Sequence, residues 1–360
     1  MGELKDGALD PAGKTRSAIK AGKPKPRKGP FLCFKARLRV LASSHRRWSI
    51  GVVNWDFKSV AVIGSGAVGL YYGGRLAAAG EDLKFLVRSD FESLSDKGLK
   101  VESVHGDFDV PHPRVFQTSA EIGPVDLVIV AWKTTANSHL GGILPPLLHP
   151  ETQVLTLQNG LGNCESIAEI TGPQRVLGGQ CYVCINRISP GLVKHTAGGR
   201  VTLGEWRPGI PGRAAEIARR FKAAGIPCTA VADLEQAQWE KLVWNIPFNG
   251  LSVAEGGVTT DTLLASRETE DEIRALMIEV IAAARALGHE LSEDLIEFQI
   301  ERTRPMGPYR TSSMIDFMEG REVEVGPIWR EPLRRGQAAG VSMPHTARLL
   351  DRIERRLAAR

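Results

Sequence analysis

The sequence predicts an α/β domain with a parallel sheet, followed by an all-helical domain. Between residues 58 and 230, short apolar segments alternate with helical ones, which is typical of parallel strands covered on both faces. After about Ala230 the strand pattern ends, and apolar residues recur at the three- and four-residue spacing of helices. We therefore predict domains at 58–230 and 231–360, preceded by a basic segment at 1–57.

The basic segment accounts for the positive charge of the chain. Residues 1–50 hold 13 Lys and Arg against 3 Asp and Glu, which leaves 33 basic and 38 acidic residues elsewhere. Its composition predicts disorder. It is either an organelle-targeting peptide, because Phe31–Ala42 interleaves Phe and Leu with Lys and Arg, or a non-functional extension that is absent if translation begins nearer Val52. We favour the extension. The folded part is mildly acidic, so we expect no nucleic-acid partner.

Hydropathy and cysteine usage favour a cytoplasmic protein, with an organelle as the alternative if the basic segment is a transit peptide. No apolar run approaches the roughly 18 residues that cross a bilayer, so we expect no membrane segment. The five cysteines, without a recognisable secretory signal, favour reduced thiols. Cys181 and Cys184 have CxxC spacing, but they lie in a predicted strand, where positions i and i+3 face opposite sides. We interpret them as small buried side chains rather than a redox or zinc pair.

The elements of the first domain follow from apolar, β-branched segments and their flanking glycines. A helix rich in Ala and Leu follows the first strand and ends near Gly80. The predicted strands are Ser59–Ile63, Leu83–Val87, Val125–Val130, Val154–Leu157, Gly179–Ile185 and Val201–Glu205, and a later helix spans Arg213–Ala224.

The second domain is predicted from helical periodicity. Asp233 can cap a helix, with Gln236 three residues on as in a capping box, and this helix runs through Asn245. The segments 268–287 and 343–357 predict two further helices, because apolar residues recur in them on one face.

A glycine-rich turn follows the first strand and opens the first helix. Its residues are Gly64, Ser65, Gly66, Ala67, Val68 and Gly69, which fit GxGxxG. The first glycine permits the tight turn, the second lets a pyrophosphate approach the backbone, and the third lets helix and strand pack closely. In this context the motif predicts a Rossmann domain that binds a dinucleotide at the helix N-terminus.

Three polar residues at strand ends extend the predicted cofactor site. Arg88 follows the second strand, where an acidic residue would bind the ribose hydroxyls of NAD and an arginine suits the 2′-phosphate of NADP. Lys133 and Asn159 follow the next two apolar strands. Ligands of open α/β sheets bind beyond the carboxyl ends of the strands, so we expect both side chains to face cofactor or substrate.

In the helical domain, Lys241, Asn245 and Asn249 are spaced by four and would share one helix face. An ammonium group and two amides suit an oxo acid, because the cation can protonate a developing alkoxide while the amides bind the polar ends. From spacing alone, a solvated polar face remains an equal alternative. We treat His195 and the other histidines as structural, since they form no triad or metal set.

From Ser59 to the end, the chain resembles the ketopantoate reductase (2-dehydropantoate 2-reductase) family. The resemblance rests on the glycine turn, Lys133-Thr and Gln-Asn159-Gly. It continues in Ser189-Pro-Gly-Leu-Val-Lys-His-Thr, Trp-Glu-Lys241-Leu-Val-Trp-Asn245-Ile-Pro-Phe-Asn249, Thr-Ser-Ser313-Met and Gly320-Arg-Glu-Val-Glu324. It implies NADPH-dependent reduction of 2-dehydropantoate to (R)-pantoate in pantothenate biosynthesis.

The resemblance also implies residue roles. Lys241 would be the general acid and a substrate ligand, with Asn245, Asn249 and Ser313 binding the substrate. Glu324 would join the glycine turn, Arg88, Lys133 and Asn159 on the cofactor side.

Two departures from the family pattern bear on the substrate. Pro247 would remove a helical hydrogen bond and could displace Asn249. The segment 313–324 is one residue shorter than is usual, and Val-Gly-Pro-Ile-Trp follows Glu324. A reductase of another branched 2-oxo acid is therefore the nearest alternative, and a non-catalytic NADP-binding sensor is a more distant one. A homodimer is one option for assembly, although no interface pattern stands out.

Overall fold

The computed structural model describes residues 55–210 and 212–360. Residues 1–54 of the basic segment, for which the sequence predicts disorder, lie outside the described residues, and so does Cys33. Trp55 and Phe57, which the sequence analysis assigned to the extension, pack into the core with ring centroids 5.5 Å apart. Trp55 and Phe57 are both buried, so the core includes two side chains on the N-terminal side of the predicted boundary at 58.

The described residues form one sheet of ten strands. The strands are β1 (Ser59–Ile63), β2 (Asp82–Leu86), β3 (Leu99–Ser103), β4 (Phe108–Val110), β5 (Arg114–Phe116), β6 (Leu127–Val130), β7 (Gln153–Thr156), β8 (Val176–Ser189), β9 (Leu192–Glu205) and β10 (Cys228–Val231). Their order is β4-β3-β9-β8-β7-β6-β1-β2-β5, with β10 paired to β9. The predicted glycine turn follows β1, which lies between β6 and β2 in the parallel part of the sheet.

The sheet is mixed and mostly parallel, whereas the sequence predicted a parallel sheet. The antiparallel pairs are β3 with β4 and β8 with β9. The last two form a long hairpin whose turn includes Gly191, with a φ of +74° in the left-handed region that favours glycine. Register shifts after Tyr182 and Cys184 bend this hairpin, so the first part of β9 pairs with β3 and its end pairs with β10.

Helices cover the sheet and then build the second domain. The α-helices are α1 (Ala67–Ala78), α2 (Phe91–Lys97), α3 (Ser119–Ile122), α4 (Leu140–Ile143), α5 (Asn163–Thr171), α6 (Arg213–Ala223), α7 (Leu234–Ala254), α8 (Thr260–Ala265), α9 (Arg267–Ala286), α10 (Asp294–Thr303), α11 (Ser312–Met318), α12 (Glu331–Ala338) and α13 (Pro344–Ala358). The class predicted from the sequence, a Rossmann domain followed by a helical domain, is confirmed. The helical domain has its own apolar core, centred on α7 and α9.

The long helix α7 carries the predicted catalytic face and begins as expected. The Asp233 carboxylate accepts the backbone N–H of Gln236 at 2.8 Å. The helix then runs unbroken through Pro247. A side chain from outside the helix bonds to its backbone beside Pro247: the indole N–H of Trp329 donates to the carbonyl of Ile246 at 3.0 Å. Pro247 therefore does not end the helix before Asn249.

Gly250 makes this close approach of Trp329 sterically possible. A Cβ at position 250 would lie 2.8 Å from the indole nitrogen and 2.6 Å from Cδ2 of Leu349. Alanine normally favours a helix over glycine by about 0.5–1 kcal/mol, whereas overpacking a core costs about 1–3 kcal/mol. We expect Gly250→Ala to lower the free energy of unfolding by about 1 kcal/mol.

Urea denaturation of the two proteins measures this effect. Gly142→Ala is the matched control, since a Cβ at that helical glycine has no neighbour within 4 Å and the change should be neutral or stabilising. Equal stability of Gly250→Ala and the wild type would show that the indole contact does not constrain this turn.

The described residues can be compared with the predictions about membrane segments, metal sites and cysteines. No helix there is long and apolar enough to cross a membrane. In the same residues, no group of three or more His, Cys, Asp or Glu side chains could hold a metal ion. Cys181 and Cys184 are unbonded thiols that have different neighbours. Cys181 is buried in the core, and Cys184 lies against the phenol of Tyr309.

Candidate active site

The glycine turn after β1 has the geometry that a bound pyrophosphate needs. Gly64 has a φ of +109°. A Cβ at Gly69 would overlap the carbonyl oxygen of Gly64, so only glycine lets α1 pack this closely on β1. At Gly66, which caps α1, a Cβ would meet no atom within 4 Å. The open space beside the N-terminus of α1 therefore fits a phosphate group.

Arg88 lies two residues beyond the end of β2 with its side chain exposed. No hydrogen bond or ion pair joins its guanidinium group to another described residue. β2 pairs with β1 in parallel, so the glycine turn and Arg88 follow neighbouring strands at the same edge of the sheet. An available cation at this place suits a 2′-phosphate.

The loops after β6 and β7 meet the helical domain. The Lys133 ammonium forms an ion pair with Asp316 of α11. The next backbone N–H, of Thr134, donates to Oε1 of Glu324 at 2.8 Å. Glu324 is 9% exposed, and burial raises the pKa of its carboxyl group. Lys133 and Glu324 thus lie at the junction of the two domains, where Lys133 binds Asp316, and its role beside the cofactor stays a prediction.

Lys241 reaches across the same junction from α7. Its Nζ donates to Oδ1 of Asn159 at 2.7 Å and lies 5.6 Å from the ring centroid of Tyr182. Burial lowers the pKa of the Lys241 ammonium, and Cys181 and then Glu324 partly offset this. The sequence placed Lys241 and Asn159 in different domains, and the structure brings them into direct contact.

Asn245 and Asn249 follow Lys241 along α7, and Ser313 contacts Asn249 from α11. Asn249 Oδ1 accepts the backbone N–H of Ser313 at 3.1 Å and the hydroxyl of Ser312 at 3.4 Å. Asn249, Ser313 and Asn245 are all buried. The Asn245 amide forms no hydrogen bond with another described side chain or backbone group. Because the carbonyl side of Asn249 is already bonded, its N–H₂ group remains available to an anion.

Comparisons with known proteins identify the family. The model of the ketopantoate reductase PanE/ApbA family matches residues 60–208, and its C-terminal model matches residues 233–356. A 2-dehydropantoate 2-reductase of Nostoc sp. is 41% identical over 292 residues, which are 80% of this chain and 91% of that protein. This chain belongs to the ketopantoate reductase family.

Solved structures agree with the family assignment. The crystal structure of 2-dehydropantoate 2-reductase from Geobacter metallireducens is 43% identical and has a TM-score of 0.81, covering 82% of this chain and 99% of that one. D-mandelate dehydrogenase in its ternary structure with NADH and anilino(oxo)acetate shares the fold alone, at 21% identity and a TM-score of 0.76 over 84% and 99% of the two chains.

Strand β8 of this ketopantoate reductase family member forms a second wall of the site, which was not predicted from the sequence. Tyr182 and Cys184 project from β8 toward the helical domain, where they meet Lys241 and Tyr309, respectively. Burial raises the pKa of Tyr182 to about 12, so its phenol stays neutral. Arg200, its partner across the hairpin, stacks 4.2 Å from its ring centroid.

The unusual segment after Glu324 also joins the two domains. Residues Gly326–Arg330 form a π-helical turn, and the carbonyl of Pro327 accepts the N–H of Leu161 at 3.0 Å. Gly160 has a φ of +82°, and a Cβ there would overlap this carbonyl. The departure from the family pattern therefore forms an interdomain contact directly after Asn159. Ser313 and Glu324 still reach Asn249 and Thr134 despite the shorter spacing between them.

Proposed function

We propose that this chain reduces 2-dehydropantoate to (R)-pantoate with NADPH, with Lys241 as the general acid. The reaction is the one for which the family and the Nostoc and Geobacter proteins are named. The observation that carries the residue assignment is the contact between Lys241 Nζ and Asn159 Oδ1 at 2.7 Å, next to the edge of the sheet where the glycine turn opens.

The reduced nicotinamide, when bound, supplies a hydride to C2 of the oxo acid. Lys241 then gives a proton to the C2 oxygen and is reprotonated from solvent. The Asn159 carbonyl accepts one ammonium N–H, which orients the amine and leaves its other two protons for the substrate. Burial favours release of the proton because it lowers the pKa of the ammonium group.

The remaining ligands would hold the two polar ends of the substrate. The Ser313 hydroxyl and the free N–H₂ group of Asn249 suit the carboxylate, because both can donate hydrogen bonds. Asn245 lies one helical turn after Lys241 and its amide has no protein partner, which suits the substrate hydroxyl. Burial of these groups excludes water from the reacting atoms.

A substrate pair that differs in one hydroxyl tests the assignment of Asn245. We expect 3,3-dimethyl-2-oxobutanoate, which lacks only the hydroxyl of 2-dehydropantoate, to have a kcat/KM lower by roughly 10- to 100-fold, because one buried hydrogen bond is lost. In Asn245→Ala this difference should shrink toward unity. Equal use of both acids by the wild type would favour the alternative, a reductase of another branched 2-oxo acid.

Cofactor choice is the second part of the proposal. Arg88 supports NADPH, since its guanidinium is exposed just after β2, where an arginine suits the 2′-phosphate of NADP. Steady-state assays with NADPH and NADH at fixed oxo acid measure the preference directly. We expect NADPH to be preferred by the wild type and the preference to fall in Arg88→Gln, whereas Arg348→Gln, an exposed arginine of α13, should behave as the wild type.

We place the reaction in the cytoplasm. Unbonded thiols at Cys164, Cys181, Cys184 and Cys228 support this placement. The proposed assembly, a homodimer, can be checked by sedimentation of the purified chain.

A further inference from the structure

An ion pair links the segment after β2 to the tip of the β8–β9 hairpin. Asp90 is fully buried and lies two residues beyond Arg88. Both of its carboxylate oxygens contact Nη1 of Arg187, at 2.5 and 2.6 Å, and the Ser89 hydroxyl donates to Oδ1 at 2.8 Å. Asp90 occupies the N-cap position of α2, but its side chain does not cap that helix. The carboxylate is therefore committed to Arg187.

The hairpin tip is also bonded to α2 and to β3, the two elements that follow β2. The Ser93 hydroxyl of α2 donates to the carbonyl of Pro190 at 3.0 Å, and the Lys100 N–H donates to the carbonyl of Gly191 at 2.8 Å. Arg187, with 38% of its side chain exposed, thus approaches Asp90 from a strand 97 residues away in sequence. The ion pair lies where the hairpin crosses the segment that carries Arg88.

An acidic side chain just beyond β2 affects which dinucleotide such a site binds. A carboxylate there can accept hydrogen bonds from the ribose hydroxyls of NAD, and it repels the 2′-phosphate of NADP. Asp90 is the acidic residue nearest to Arg88 in sequence, and it would act this way if it were free. Arg187 covers and neutralises it.

We propose that the Asp90–Arg187 ion pair sets selectivity for a 2′-phosphorylated cofactor by withdrawing this carboxylate from the ribose site. The inference rests on the proposed role of Arg88 in binding the 2′-phosphate. Arg187 and Asp90 are positioning residues here, since neither takes part in the reaction. If the ion pair only stabilised the loop, loss of either partner would reduce selectivity for the 2′-phosphate. The proposed role instead predicts that loss of Arg187 reduces this selectivity and that loss of Asp90 does not.

Equilibrium binding to the full chain tests the proposal without turnover. Adenosine 2′,5′-bisphosphate and 5′-AMP, which differ only in the 2′-phosphate, are titrated by calorimetry. In Arg187→Gln the freed carboxylate should reduce the preference for the bisphosphate at least tenfold. In Asp90→Asn the preference should be kept or increased, because a positive charge remains and the negative one is gone. The double variant should return to within about threefold of the wild type.

Arg213→Gln is the control for loss of an arginine that pairs with a carboxylate elsewhere in the fold. Arg213 is fully buried on α6 and pairs with Glu205, and Arg213→Gln should lower the Tm without changing the preference. A wild type without preference would contradict the role of Arg88. A wild type with preference that Arg187→Gln keeps, or that Asp90→Asn also loses, would overturn the ion-pair proposal. If Arg187→Gln does not fold, Asp90→Asn decides: an increased preference supports the proposal, whereas an unchanged or reduced preference overturns it.

Discussion

Lys241→Ala is expected to reduce kcat by about 1,000-fold while leaving the Kd of NADPH within a few-fold of the wild type. A positioned general acid contributes roughly 10²–10⁴-fold, and the same ammonium also stabilises the alkoxide charge. The amine touches the Asn159 side chain rather than the glycine turn, so cofactor affinity should persist. Single-turnover reduction gives the rate, and quenching of NADPH fluorescence gives the affinity.

The matched control is Lys222→Ala, because Lys222 is an exposed lysine of α6 on the same domain as the cofactor turn. It should keep full activity. A Lys241→Ala protein with wild-type turnover would remove the proposed proton donor, and one that also lost NADPH binding would show that the lysine holds the cofactor instead.

The pH dependence of kcat/KM is a second test of Lys241 as the general acid. A general acid works in its protonated form, so kcat/KM for reduction should be constant at low pH and fall as the pH rises through the pKa of Lys241. Burial lowers this pKa, so the fall should begin below the pH at which an ordinary lysine titrates. In Lys241→Ala this alkaline limb should disappear. An unchanged limb in the variant would assign the titration to another group.

Local sequence signals predicted the parts of the site that single elements carry. The glycine turn, the polar strand exits and the face of α7 each depend on residues a few positions apart, where turn geometry and helical spacing determine neighbours. The contact of Lys241 with Asn159 could be expected only through the family resemblance, because 82 residues separate them.

The hairpin shows why the rest could not be predicted. Continuous burial is confined to Val176–Cys181 of β8 and Val201–Gly204 of β9, and the sequence indicated two short strands rather than two of 14 residues. Toward the tip, burial is partial and register shifts break the alternation. Tyr182, Cys184 and Arg187 acquire their neighbours only from this non-local pairing. Ser189-Pro-Gly191 was the available signal, since Pro-Gly commonly marks a turn.

Gly66→Asp is expected to weaken NADPH binding by at least about 100-fold, or about 2.7 kcal/mol, without destabilising the fold. Gly66 is the N-cap of α1, with a φ of −72° and a ψ of 174° that any residue adopts. Aspartate is a better N-cap than glycine by a few tenths of a kcal/mol, and a negative charge is favourable at a helix N-terminus. A side chain at this position also meets no neighbour within 4 Å.

Gly66→Asp should weaken NADPH binding for two reasons, although it does not destabilise the fold. The change in affinity can therefore be told apart from a change in stability. The carboxylate would occupy the space beside the helix N-terminus and repel the pyrophosphate, and like charges in contact cost several kcal/mol. Gly66→Asn is the matched control, because it adds nearly the same volume without charge and should weaken binding by only about tenfold. Melting temperatures and NADPH titrations of the three proteins measure both quantities. If Gly66→Asp bound NADPH as the wild type does, the turn after β1 would not be the pyrophosphate site, and Arg88 and the Asp90–Arg187 pair would lose their assigned ligand with it.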